Sequence, residues 1–220
     1  LNAIIIYHLT NLFEGIFISR PNRFVSEILY RNKQYSAHVH DPGRLNELLK
    51  KGAQILFITS NGKLPYYLKA VKSGREWVLI DTALHNKIAF KVFNLIPELS
   101  QFKNIRKEVK TGKSRIDFSL DGIPLEVKGV TLVKDNIALF PDAPTERGLR
   151  HVTEIITHKG VILFLIFRNA MGFRPNFAID PKFSKALSAV RKKGISIYTA
   201  KILFDGKNVT FYGSIPLEDF

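Results

Sequence analysis

Asp121-Gly122 stands between two alternating apolar runs, Ser114–Leu120 and Ile123–Val130, and no other feature constrains this chain so tightly. A two-residue Asp-Gly loop supplies the positive φ angles of a tight turn whose twist matches the flanking strands, so the pattern predicts a β-hairpin. The turn then sets the register. Leu120 faces Ile123, Phe118 faces Leu125 and Ile116 faces Val127, which gives one apolar face. The other face carries Arg115 opposite Lys128, Asp117 opposite Glu126 and Ser119 opposite Pro124. Two carboxylates are placed side by side, with a lysine two residues beyond.

Opposed Cβ atoms lie about 4.5 to 5.5 Å apart, near enough for both carboxylates to hold one hard cation. Asp117 and Glu126 are therefore the candidate metal ligands, and Asp117, Glu126 and Lys128 the candidate catalytic residues. A Mg²⁺ or Mn²⁺ ion held there would keep several waters, activate one against a phosphodiester and offset charge on the phosphorus oxygens. Lys128 could position that water or steady the transition state. A solvated strand face with cross-strand ion pairs accounts for the same four residues, because Arg115 and Lys128 also relieve the repulsion between the acids. The chain has no cysteine. Disulfides, zinc ribbons, iron–sulfur clusters and thiol catalysis are excluded together, and any metal must be held by oxygen or imidazole. His38-x-His40 puts two imidazoles on one strand face without an identifiable third ligand. Walker, GxSxG and dinucleotide-binding signatures are absent.

The pattern around the hairpin divides the 220 residues near position 80. Before it, short β-branched and aromatic segments at 15–19, 24–30, 35–39, 54–59, 66–72 and 76–80 alternate with turn signals, and a helix is expected at 44–50. Five strands with a helix between the third and fourth is the order of an OB-like β-barrel, expected over residues 1–80. Arg20, Arg23, Phe24, Tyr35, Arg44, Tyr66 and Lys69 could serve its binding face, although many aromatics in any barrel are core. Over residues 81–220 the pattern becomes α-β-β-β-α-β: a helix at 82–93, strands at 104–109, 114–120 and 123–130, a helix at about 143–158 and an apolar strand at 161–167. A further helix at 181–193 and strands at 196–203 and 208–212 follow. The fold class is α/β with two domains, the second a mixed central sheet flanked by helices.

Charge says what such a molecule meets. With 33 Lys and Arg against 19 Asp and Glu the net charge is +14, and the pI is near 9.9. Polyanions are the expected partners. On the helix that follows the hairpin, Arg147, Arg150, His151 and Glu154 recur at helical spacing opposite Leu149, Val152 and Ile156, with Thr145 near its start. That stripe suits phosphate contact or a solvated surface. The longest apolar run has seven residues, 161–167, so no membrane helix is expected, and the N-terminus lacks the pattern of a secretory signal. The expected location is the cytoplasm.

Asp117 followed by Glu126-Val127-Lys128 within this order resembles the PD-(D/E)XK nuclease-like superfamily, which implies an active site of Asp on one strand and Glu-x-Lys on the next. Several further motifs, Asp41-Pro42-Gly43-Arg44-Leu45, Ser114-Arg115-Ile116-Asp117-Phe118 and the stretch from Phe140-Pro141-Asp142 through Thr145-Glu146-Arg147-Gly148-Leu149-Arg150-His151, resemble the sugar fermentation stimulation protein A family over nearly the whole chain; Arg168 and Phe173-Arg174-Pro175 fit as well. The resemblance implies a DNA-binding protein with a regulatory role in sugar (maltose) metabolism and a nuclease-like core. DNA, duplex or single-stranded, is the expected partner, contacted through Arg44, Arg115, Thr145, Arg147, Arg150, His151 and Arg168. The alternatives are an active Mg²⁺- or Mn²⁺-dependent nuclease and a carbohydrate- or small-anion-binding regulator that uses the barrel. Two departures bear on the chemistry. Ile116 precedes Asp117 where the superfamily has proline, and the first core helix, from Asn86 to Val92, carries no acid, so the metal site is thinner and two-metal catalysis is not expected.

Overall fold

A computed structural model describes residues 3–220. The strands β1 (Ile4–His8), β2 (Phe13–Asn22), β3 (Val25–Tyr30), β4 (Lys33–His38), β5 (Gln54–Thr59), β6 (Tyr66–Ser73) and β7 (Glu76–Leu79) come first. Five of them form a closed barrel in the order β4-β3-β2-β5-β6, with β4 returning to β6 through Ala37 and Tyr66. Closure removes the free strand edges. Phe17, Ile28, Ile55, Phe57 and Leu68 fill its interior. The β3–β4 hairpin turns on Arg31 and Asn32, both at positive φ (48° and 60°), the two-residue geometry that suits strand twist.

The helix expected at 44–50 does not form. Leu45 adopts a φ of 51°, outside the helical range, and the amides of Arg44 and Leu45 donate to the Asp142 carboxylate from across the molecule, at 3.1 and 3.5 Å. Arg20 fixes the same loop by donating to the carbonyls of Arg23, Asp41, Gly43 and Arg44. Leu45 and Leu48 still reach the core as the apolar spacing required. A tertiary anchor has replaced the helix's own hydrogen bonds.

Next come a short 3₁₀ turn (Thr82–Leu84), α1 (His85–Phe93), α2 (Pro97–Ser100), β8 (Ile105–Thr111), β9 (Ser114–Leu120), β10 (Ile123–Val130), β11 (Leu132–Lys134), β12 (Ile137–Phe140), α3 (Glu146–Thr157), β13 (Val161–Ile166), β14 (Gly172–Pro175), α4 (Pro181–Lys192), β15 (Ile197–Phe204) and β16 (Asn208–Phe211). The main sheet runs β7-β15-β13-β10-β9-β8, parallel across β10, β13 and β15 and antiparallel at β9 and β8. β13 is buried throughout, as its apolar run predicts, and shares its side chains between two layers. Leu163 and Leu165 pack with Ile88 and Val92 of α1, while Ile162, Phe164 and Ile166 pack with Val152 and Ile155 of α3 and Phe183 of α4. β11, β12 and β14 form a small separate sheet, and β1 pairs with β16 instead of joining the barrel.

The hairpin at Asp121-Gly122 keeps the expected register for three pairs, Leu120–Ile123, Ser119–Pro124 and Phe118–Leu125. Beyond Phe118 the two strands part, so Arg115 does not face Lys128 and Asp117 does not sit in a ladder position opposite Glu126. The expected single apolar face also breaks. Phe118 and Leu120 pack on the α1 side, but Ile116 packs with Val152 and Ile155 on the α3 side. The inversion falls at Asp117, whose neighbour across β8 is Glu108, a residue at a φ of 51° that leaves a gap in an otherwise continuous β8–β9 ladder.

Candidate metal and nucleic-acid site

The parting of β9 and β10 is what brings the polar residues together. Because Val127 has no ladder partner on β9, its amide donates to Asp117 Oδ2 at 2.9 Å, and Asn86 Nδ2 on α1 donates to Oδ1 at 3.2 Å. Glu126, held in the middle of the sheet by β13, is 2% exposed. Lys128 Nζ bonds Glu126 Oε1, and His151 Nδ1 lies 2.5 Å from the same oxygen. Arg147 Nε–H donates to His151 Nε2 at 3.5 Å. That contact makes Nε2 the acceptor and leaves the proton on Nδ1, facing Glu126. Glu126 Oε2 is buried and has no hydrogen-bond partner.

The electrostatics divide the two acids. Burial alone would raise the Glu126 carboxyl, but Lys128 and His151 outweigh it and hold the group below its ordinary range. Asp117 is pushed up, first by burial and then by the charge of Glu126, against the opposing effects of the Val127 amide, Lys128 and Asn86. A buried carboxylate with one bare oxygen therefore stands beside an acid whose ionisation it disfavours. A divalent cation relieves both conditions, and one or two carboxylates with retained waters is the usual protein contribution to Mg²⁺. The residues present fit such an ion. Among the described residues no group of three or more His, Asp or Glu side chains is arranged around one point.

The expected nucleic-acid residues do not all meet here. His151 is buried in the site, with Arg147 exposed behind it and Arg150 exposed further along α3. Thr145 is the α3 N-cap: its Oγ1 accepts from Gly148 N at 3.0 Å and its amide donates to Asp180 Oδ2 at 2.9 Å. Arg168 reaches the other way, donating from Nε to Glu76 Oε2 at 2.8 Å. Arg44 is exposed on the anchored barrel loop, and Arg115 is exposed and paired with Glu108 at 3.3 Å. His38 and His40 pack with each other and with Tyr67. Asn86 was visible in the sequence only as an acid that was missing. Its place in the first turn of α1, the helix that packs on β10, was the available signal.

Behind the site the barrel meets the second layer. Asp81 is fully buried, bonded by Tyr67 Oη and by Lys69 Nζ at 2.5 Å, and Thr82 Oγ1 donates to the carbonyl of His40 at 3.1 Å. His85 stacks on Phe167 with ring centroids 5.0 Å apart. Burial, with lesser contributions from Lys128 and His40, lowers its pKa to about 4, so it is neutral at pH 7.

A five-stranded barrel joined to a mixed α/β layer with an Asp, Glu-x-Lys centre defines an OB domain followed by a restriction-endonuclease-like domain. Family models match both parts: the SfsA N-terminal OB domain over residues 18–80 and the sugar fermentation stimulation protein RE domain over residues 83–208. The chain belongs to the sugar fermentation stimulation protein family. A homologue from Sulfurisphaera tokodaii is 38% identical over 97% of this chain and 93% of its own length, and one from Saccharolobus solfataricus is 40% identical over 96% and 88%. The solved structure of Pyrococcus furiosus SfsA in complex with Ca²⁺ superposes with a TM-score of 0.92 at 27% identity, covering 98% of this chain and all of that one. Among the described residues no helix is long and apolar enough to cross a membrane.

Proposed function

We propose that this protein binds DNA and holds one Mg²⁺ or Mn²⁺ ion between Asp117 and Glu126. The observation that carries the metal is the buried, unpartnered Oε2 of Glu126 next to Asp117. The Ca²⁺ complex of the Pyrococcus relative supports a divalent site in the family. The net charge of +14 and the OB and restriction-endonuclease-like domains support nucleic acid as the partner. A role in controlling sugar (maltose) metabolism would act through that DNA binding. Calorimetric titration of Mn²⁺ into the wild type and into Asp117→Asn and Glu126→Gln tests the metal site. Binding to the wild type that is lost in both variants is expected, and equal binding by all three proteins overturns it.

A second reading, cleavage of a phosphodiester, rests on Lys128. Its ammonium sits on Glu126 Oε1, beside the buried Oε2 that the protein's own donors leave bare. A bound cation would supply an activated water and offset charge on the phosphate. Lys128 would orient that water while His151 keeps Glu126 ionised and turned toward Asp117. DNA and RNA substrates incubated with Mg²⁺ or Mn²⁺ should be cut by the wild type and not by Glu126→Ala. Cleavage that persists in Glu126→Ala eliminates this site.

A further inference from the structure

The most concentrated charge on the molecule lies outside the candidate site. Lys103, Arg106, Lys107, Lys110, Lys113 and Arg115 fall within thirteen consecutive residues that contain one acid, Glu108, and all six cations are exposed. Arg106, Lys107 and Lys110 lie on β8, which ends the main sheet and has no partner on its outer side; Lys103 precedes it, Lys113 is in the turn and Arg115 lies near the start of β9. One or two lysines are enough to keep a sheet edge from pairing with another chain. Six is an excess that edge protection does not explain.

The hairpin is also held firmly and connected to the site. Its tip docks on α3, where Lys113 N donates to Glu154 Oε1 at 2.9 Å and the neighbouring Gly112, at a φ of 53°, leaves no room for a side chain against Glu154. Lys110 pairs across the strands with Arg115, two residues before Asp117. Lys107 Nζ lies 4.9 Å from the ring of Phe90 on α1. Phe90 is one turn from Asn86, which bonds Asp117. The cations thus border Asp117 by both routes.

Resting on the DNA-binding reading above, we propose that the β8–β9 hairpin is a phosphate-tracking surface for the duplex flanking the site. Seven residues of strand extend roughly 20 Å. Over that length a duplex presents about 12 backbone charges. Exposed aromatic platforms of the kind that single strands stack on are nearly absent from this surface, Phe90 alone being near it, so the chemistry is that of backbone contact. It would grip without reading sequence.

The test compares two triple variants of equal charge. Lys107→Gln/Lys110→Gln/Lys113→Gln empties the hairpin, and Lys182→Gln/Lys185→Gln/Lys192→Gln removes three exposed cations from α4. Fluorescence anisotropy with a labelled duplex of mixed sequence, over a series of salt concentrations, gives the slope of log K against log [salt]. The hairpin variant should bind more weakly, with a slope shallower by about 2.7 if three phosphate contacts are lost, and the α4 variant should follow the wild type. Thermal melts should place both variants with the wild type, since none of these side chains carries packing in the core. Equal weakening of both variants would show that net charge, not the hairpin, binds. Unchanged binding by the hairpin variant, with the wild type still binding, overturns this proposal alone. Absence of duplex binding by the wild type at low salt overturns it together with the reading it rests on.

Discussion

His151 and Lys128 converge on one oxygen of a buried carboxylate, and their energetic coupling can be measured directly. His151→Ala deletes an N–H donor to an ionised group that is 2% exposed, and bulk water cannot replace it there. A hydrogen bond to a charged group contributes about 1.5 to 3 kcal/mol. Lys128 still compensates Glu126, so the cost should stay below the roughly 3 to 5 kcal/mol seen when a buried charge loses its only partner. Glu126→Gln keeps the shape and removes the charge. In that background His151→Ala should cost less, because a neutral amide demands less of the missing donor.

The double-mutant cycle therefore has a definite expectation. Urea unfolding of the wild type, both single variants and the double variant should give a coupling of at least about 1 kcal/mol, beyond the 0.3 to 0.5 kcal/mol within which independent sites add. Equal m-values would show that the unfolded reference is unchanged. Additivity within that margin would mean that His151 packs beside Glu126 without holding its charge. His151 would then not be among the causes that hold the Glu126 carboxyl below its ordinary range.

Two further outcomes follow from the barrel and its junction. Burial, partly countered by the Gly43 amide and reinforced by Asp142, raises Asp41 to about 6 from 3.8. Between those values the folded protein holds a proton that the unfolded chain has released, so stability falls as pH rises from about 4 to 6, by at most about 3 kcal/mol. Asp41→Asn should flatten that part of the stability–pH curve by chemical denaturation; an unchanged curve would assign the loss elsewhere. Gly129→Ala would bring a Cβ against Cε1, Nε2 and Nδ1 of His85, none farther than 2.8 Å. Displacing His85 from its stack on Phe167 should destabilise by about 1 to 3 kcal/mol, and a melt matching the wild type would show that the ring moves freely.

The candidate site was legible in the sequence as a set of residue types, and its geometry was not. Asp117, Glu126 and Lys128 follow from a strong turn signal and strict alternation, both local properties. The gap at Asp117 coincides with a positive φ at its β8 neighbour Glu108, for which no glycine or asparagine gives warning. The helix expected at 44–50 failed for a similar reason: its partner, Asp142, lies 98 residues away in the chain. By contrast, the β11–β12 hairpin carries a local turn signal. Asp135 and Asn136 form a two-residue turn with φ of 50° and 63°, the residue types that tolerate this conformation. Apolar spacing succeeded wherever burial alone decides, as in β13.

The break at Asp117 also decides how the acids meet. In a continuous ladder Asp117 would stand directly across from Glu126, with both carboxylates projecting from the same face and Arg115 and Lys128 free to pair with either. Here Arg115 is exposed and turned to Glu108, which leaves Lys128 as the only strand cation on Glu126. A second donor to Glu126 comes from α3 as His151, and a neutral donor to Asp117 comes from α1 as Asn86. Each acid is thus held by a different helix, Asp117 by α1 and Glu126 by α3. With the ladder unmade and no acid on α1, Asp117 and Glu126 are the only carboxylates this centre offers a cation, so one ion is the occupancy the donor set suits.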